Sequence, residues 1–286
     1  DTLFAWDAAH NRITVLAPNG RGVRTVALQP TSDRQLPSVS GLVHGGPIDD
    51  HVFAFRTGRH PATERRTVIR DTLVVALFSA RGEYVRTVGS FLGLEQVRHA
   101  SGTMRGPTGE SRPAYSSSGT PFARETFLHS SADWLFVGDG DRAYEIYCFD
   151  GAGALKRIIR VLRPPRPVTS EVIARHRAQP ADLPDRSFVR PVVSRTLPAS
   201  SYPKTLPTYA GFIVDRSGRL WVKEYPLPGD LESRWNVFDQ NGKMIGMVDT
   251  PAGLQITEIG VSYILGVWRD QEGVESVRLY TISSVQ

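Results

Sequence analysis

The chain has 286 residues, 40% of them hydrophobic and 22% charged, with a net charge of +5. This is enough apolar material for a sizeable core, and no apolar run approaches the ~20 residues of a membrane-spanning helix. A single cysteine, Cys148, excludes an internal disulfide and a cysteine-rich zinc centre.

In chain order the elements follow a repeating grammar. Residues 2–6 (TLFAW) and 13–28 (ITVLAPNGRGVRTVAL) read as one strand and then a hairpin turning at Asn19-Gly20. The scheme returns, one strand longer, in SVSGLVHG (38–45), HVFAFR (51–56) and VVALFSARGEYVRTVGSF (74–91), turning at Arg81-Gly82. The third copy is ETFLHS (125–130), DWLFVG (133–138) and EIYCFDGAGALKRIIRV (145–161), turning at Asp150-Gly151. The fourth is YAGFIVD (209–215), RLWVKEY (219–225) and WNVFDQNGKMIGMVDTP (235–251), turning at Asn241-Gly242. The tail gives QITEIGV (255–261), YILGVW (263–268) and VESVRLYTI (274–282). Branched and aromatic residues dominate these runs, as strands require, and Gly accepts the positive φ of a hairpin turn.

With the strands of one unit labelled A to D, the chain reads BCD, ABCD, ABCD, ABCD, ABC. Repeated four-stranded antiparallel units predict an all-β fold, a β-propeller in one domain over residues 1–286. Cys148 falls in a strand and reads as a buried, inert thiol, and Trp6, Trp221, Trp235 and Trp268 read as blade core.

Asp7-Asn11-Arg12-Ile13-Val15-Gly20 resembles the NHL-type propeller repeat. Asp215-Arg216-Ser217-Gly218-Arg219-Leu220-Trp221-Val222 is similar to its other half. With residues 235–246 and 264–280, the chain resembles NHL/TolB-like six-bladed β-propeller proteins of bacteria, many of them exported. The resemblance implies an extracytoplasmic location: periplasmic, secreted or surface-anchored. It also implies a six-bladed parent with a further blade upstream, since five blades are visible. Its motifs specify turns and core rather than catalysis.

Strand direction alternates, so A–B and C–D turns share one face and B–C and D–A connections share the other. The long segments 57–71, 92–122, 162–206 and 224–234 all belong to the second set. Long connections in compact domains concentrate function, which predicts that this face does the work. The inserts 92–122 and 162–207 stand on it. Within the larger, Thr169 reads as the N-cap of a short helix ending before Pro180, followed by an extended strap. Residues 156–207 hold eleven Lys/Arg against three Asp/Glu, and the 57–71 loop adds Arg59, Arg65, Arg66 and Arg70. A basic face predicts a protein partner or an anionic glycan or small molecule. Nucleic acid is disfavoured, because no recognition motif or interleaved aromatics accompany the charge.

The binding candidates on that face are Arg59 and His60 in the 57–71 loop and Arg166, Arg175 and His176 in the large insert. Starts of A strands and ends of B strands add Arg124, Glu125, Lys223, Glu224, Arg269 and Asp270, and Arg234 opens a C strand. The leading expectation is a non-catalytic binding module without cofactor. The alternative is a lactonase-like metal-dependent hydrolase or lyase, with Glu125, Glu224 and Asp270 at the channel mouth. Asp139-Gly140-Asp141 is a weak calcium candidate, lacking the ligand series of an EF-hand loop. The seven histidines are scattered without zinc spacing, and no nucleophile elbow or phosphate loop is present.

Overall fold

The computed structural model describes residues 3–29, 39–43, 51–58, 67–105, 109–131, 133–141, 143–178, 202–270 and 272–282. Five antiparallel sheets follow one another along the chain. The first holds β1 (Leu3–Asp7), β2 (Arg12–Leu16) and β3 (Gly22–Ala27). The second holds β4 (Gly41–Leu42), β5 (Val52–Gly58), β6 (Thr67–Phe78), β7 (Tyr84–Arg105) and β8 (Ser111–Gly119). The third comprises β9 (Phe127–Ser130), β10 (Leu135–Gly138), β11 (Tyr144–Phe149) and β12 (Leu155–Val161). After helix α1 (Ser170–Ala178) comes the fourth: β13 (Tyr209–Val214), β14 (Leu220–Glu224), β15 (Glu232–Phe238) and β16 (Met244–Pro251). The fifth is β17 (Leu254–Ile259), β18 (Tyr263–Arg269) and β19 (Glu275–Thr281). This is the BCD, ABCD, ABCD, ABCD, ABC order, and the fold is an all-β propeller.

The hydrophobic core is divided among the blade interfaces. Ile13 and Leu28 of the first blade meet Ala54, Ala76 and Phe78 of the second. Phe53, Val75 and Leu77 meet Leu135, Val137 and Phe149 of the third. Tyr144, Ile146 and Cys148 meet Tyr209, Phe212 and Val222 of the fourth. Trp221 and Trp235 meet Leu254, Ile256 and Ile264 of the fifth. Alternate residues of one strand therefore serve opposite interfaces: Trp221 faces the fifth blade and Val222 the third. Each such side chain contributes about 1.5–3 kcal/mol on burial. Cys148 is buried, and burial pushes its thiol up to about 11. Trp221 and Trp235 are buried, while Trp6 and Trp268 pack partly buried against their clusters.

The hairpin turns share one device. The amide of a positive-φ glycine donates to the carbonyl three residues back: Gly20 to Ala17, Gly82 to Ser79, Gly153 to Asp150, Gly242 to Asp239. Register shifts follow at Leu16, Phe78, Phe149 and Phe238, the bulge expected of a turn closed by a left-handed residue. In the third blade that residue is Gly153, not the Gly151 of the expected Asp150-Gly151 turn. Asp150 decides this, since its carboxylate accepts the amides of Ala152 and Ala154 and centres the loop two residues later.

Two expected loops are strand. The 57–71 connection shrinks from both ends, because β5 runs to Gly58 and β6 starts at Thr67. The insert 92–122 is largely a β-hairpin. β7, 22 residues long, continues past the blade and pairs with β8 from Gln96↔Gly119 to Arg105↔Ser111. Its Ser-, Gly- and Thr-rich sequence lacks the apolar alternation that signals a half-buried strand, so the ladder that satisfies its backbone left no trace in the pattern. Among the described residues no helix is long and apolar enough to cross a membrane.

Candidate functional site

The B–C and D–A connections meet on one face. At the join of the second and third blades, Arg70 enters from the start of β6. Its guanidinium donates to the carbonyls of Gly93 (2.9 Å) and Leu92 (3.2 Å) and pairs with Asp141 at 3.7 Å. Arg124, just ahead of β9, pairs with Asp141 at 3.1 Å and Glu95 at 3.6 Å and donates to Thr205 Oγ1 at 3.3 Å. Its backbone exchanges hydrogen bonds with Glu95: the Arg124 N–H donates to the carboxylate, and the Arg124 carbonyl accepts the Glu95 amide. Burial pulls Arg70 below its ordinary value, opposed by the carboxylates of Asp139, Asp141 and Glu95. This network ties three segments together and leaves Asp141 no lone carboxylate to offer calcium. Asp139 Oδ1 is taken by the Asp141 amide at 3.1 Å.

The large insert is fastened beside it. Pro167 bridges to Thr205, Val168 N–H donates to the Lys204 carbonyl, and Leu206 N–H donates to the Arg166 carbonyl. Thr169 caps α1 as expected, its Oγ1 accepting the Val172 amide at 3.3 Å. The extended strap expected after the helix falls within 179–201, outside the described residues, as do Arg59 and His60. His176 turns its ring onto Phe122 (5.1 Å between centroids) and Tyr202 (5.6 Å), with Nδ1 3.1 Å from the Tyr202 hydroxyl. Burial and neighbouring Arg177 hold His176 below its ordinary value. Phe122 also meets Tyr225 at 6.2 Å and adopts φ 55°. A non-glycine residue in that region costs of order 1–3 kcal/mol, here held by the aromatic contacts around it. Arg175 points away to Glu171 at 2.6 Å on the helix surface.

Between the insert and the fourth blade lies a cavity of about 460 Å³. Arg166 borders it on one side, donating to the Tyr225 carbonyl at 2.5 Å. The loop 225–231 supplies Tyr225, Asp230 and Leu231, the last 87% exposed at the rim. Asp230 stiffens that loop by accepting the Leu227 amide at 2.7 Å. Glu224, Glu232, Arg234 and Asp249 complete the wall. Arg234 and Asp249 form a two-pronged pair (2.9 and 3.0 Å). Burial raises the Glu224 carboxyl, but Arg163 (2.9 Å) and Asn236 (3.1 Å) outweigh it and hold the group below its ordinary range. Glu232 makes no ion pair among the described residues. Four carboxylates against two guanidiniums leave the lining net acidic.

Among the described residues, several arginines of the basic stretch 156–207 are held by partners. Arg157 donates to the Gln240 carbonyl of the next blade and lies over Trp134, Arg160 pairs with Glu145, and Arg163 with Glu224. On the turn face, Arg216 spans from the fourth blade to Glu258 of the fifth. Charge counted along the sequence could not show this pairing. The expected carboxylate set is also dispersed. Glu125 sits half-buried ahead of β9, Glu224 serves Arg163, and Asp270 caps its own turn through the amides of Glu272 and Val274. Among the described residues no group of three His, Cys, Asp or Glu could hold a metal ion. Lys223 lies over Trp235 at 5.8 Å, its ammonium lowered by burial, and Arg269 pairs with Glu275 at 2.5 Å.

Of the candidates, Arg166, Glu224 and Arg234 line the cavity, while Arg124 and His176 fasten the segments beside it. Tyr225, Asp230, Glu232 and Asp249 were missed. The first three lie in or beside the 224–234 segment, whose length was the available signal, whereas Asp249 ends a D strand without one.

No family model matches the chain, and no curated protein matches it. Among solved structures, a eukaryotic initiation factor aligns at 10% identity and TM-score 0.33 over 98% of this chain. The chain spans 59% of that structure's length. A member of the DUF4221 family from Bacteroides vulgatus aligns at 10% identity and TM-score 0.32, covering 95% of this chain and 86% of its own. A CNH domain aligns at 8% identity and TM-score 0.27, covering 99% and 81%. Similarity at this level carries no argument about activity or partner.

Proposed function

We propose that the protein is a non-catalytic binding propeller that takes a segment of a partner protein on the face of its B–C and D–A connections. The cavity beside loop 225–231 carries the reading. It is concave, walled by fixed polar groups and rimmed by an exposed leucine and a tyrosine, the mixture that suits a peptide. Its net acidic lining favours a cationic group, a lysine or arginine side chain, with Glu232 as the carboxylate left to receive it. The sequence resemblance to NHL/TolB-like propellers supports an exported bacterial setting for this role.

The test is fluorescence anisotropy with a labelled oligolysine peptide, with heparin as the opposite charge. Oligolysine is expected to bind saturably and to weaken about tenfold or more in Glu232→Gln and Asp230→Asn, while heparin does not compete for the cavity. Equal binding of oligolysine by these variants, or heparin binding lost in Arg234→Ala, would overturn the cavity and its charge preference.

A further inference from the structure

Among the described residues the two most exposed large apolar side chains are Leu162 (99%) and Leu231 (87%). Both belong to the segments that border the cavity. Leu231 lines it directly. Leu162 follows β12 and precedes Arg163, whose guanidinium bonds Glu224 of the cavity wall at 2.9 Å. A single leucine in solvent is ordinary. The two extremes of exposure beside one concave site mark a surface that a partner covers.

Both leucines stand on fixed backbone. Val161, just before Leu162, pairs with Tyr144 in the third blade. The Leu231 carbonyl accepts the Ala252 amide at 2.9 Å, and neighbouring Asp230 accepts the Leu227 amide. Arg166 ties the two banks together through the Tyr225 carbonyl. The apolar contacts are thus held in place before anything binds, which lowers the ordering cost of binding.

The surroundings of each leucine indicate what covers it. Beyond Leu162 and Arg163 come exposed Pro164 and Pro165. Neither proline has an amide to donate, so this bank offers apolar surface rather than a strand edge. On the other bank Leu231 stands between two exposed carboxylates, Asp230 and Glu232.

We propose that this rim sets the specificity of the site: the partner segment carries a lysine or arginine with aliphatic residues on both sides of it. The cation enters among the carboxylates, and the aliphatic side chains cover Leu162 and Leu231. The inference rests on the cavity reading above and adds the flanking residues to it. An acidic lining alone accepts any basic segment. The leucines discriminate, because a polar flank laid on them loses water without gaining a hydrogen-bond partner.

Two labelled peptides of equal length and charge test this on the full 286-residue protein by fluorescence anisotropy. In one, every lysine is flanked by leucine; in the other, by alanine. The leucine peptide is expected to bind about tenfold more tightly. Leu162→Ser and Leu231→Ser should each remove much of that advantage. Neither should change the affinity for the alanine peptide or the melting temperature, since both side chains are exposed. Equal affinity of the two peptides, or an advantage that survives in the double variant, overturns the flanking preference and leaves the cavity reading standing. Failure of both peptides to bind, or alanine-peptide binding that Glu232→Gln does not weaken, overturns the cavity reading and this inference with it. Sedimentation without peptide is expected to give a monomer. A dimer that Leu231→Ser disperses makes a second copy of the chain the occupant and overturns the partner segment.

Discussion

The two faces of the propeller differ in how much of the repeat they keep. On the A–B and C–D face the turns are near copies. Asp150, Asp215 and Asp239 each accept the amides two and four residues ahead, and Ser79 does the same with its hydroxyl. On the opposite face, short turns capped by an aspartate occur at Asp7, Asp139 and Asp270, among connections that otherwise differ in length and content. The central blades carry there the Arg70–Arg124 network, the fastened insert and the cavity. A repeating turn is fixed by what a hairpin needs, so it says little about function. Departures from the repeat must be explained by something else, and here they converge on one face.

This contrast can be broken first at its most deeply built turn. The Asp215 side chain is fully buried and accepts four hydrogen bonds, including those from Arg219 Nε at 2.6 Å and Trp221 Nε1 at 2.8 Å. Asp215→Ala is expected to cost roughly 3–5 kcal/mol by chemical denaturation, because it strands buried donors. Asp239→Ala, at the equivalent but exposed turn, should cost about 1 kcal/mol. Equal losses would mean that the turns are not graded by burial.

The connection face breaks next at Arg124. Arg124→Ala leaves Glu95 and Asp141 without their shared partner and should cost roughly 2–4 kcal/mol. Unlike the turn variants, it should speed amide exchange around Glu95 in β7 and around Thr205 together, since Arg124 joins those two segments.

The smallest effect concerns the insert. The aromatic site around His176 favours its neutral form, which places its value in the fastened state below its ordinary ~6.5. The fastened state therefore binds fewer protons than the released one. Its stabilisation is complete above about pH 6.5 and declines as pH falls below that. Exchange across α1 should quicken modestly between pH 7 and pH 5.5, and His176→Phe should remove that pH dependence. An unchanged profile in the variant would assign the pH effect to another group.

The sequence showed the first of these faces better than the second. Strand order, blade count and the helix cap at Thr169 were legible, because alternation, turn glycines and capping residues are local signals. The fifth-strand hairpin of β7–β8 was not, because its Ser-, Gly- and Thr-rich sequence carries no apolar alternation to mark the ladder. The cavity was legible only as an over-long segment at 224–234. Asp249 reaches its wall through pairing with Arg234, fifteen residues earlier in the chain. The ion pairs of several basic residues were hidden for the same reason. Arg157, Arg163 and Arg216 meet their partners across blade boundaries, which charge spacing does not reveal.

The most direct measurement is hydrogen exchange of the protein with and without bound oligolysine peptide, compared between the two faces. The account predicts slowing at residues 163–168 and 224–234, with the turns at Ser79, Asp150, Asp215 and Asp239 unchanged. Slowing centred on those turns, with the cavity loop unaffected, would contradict it.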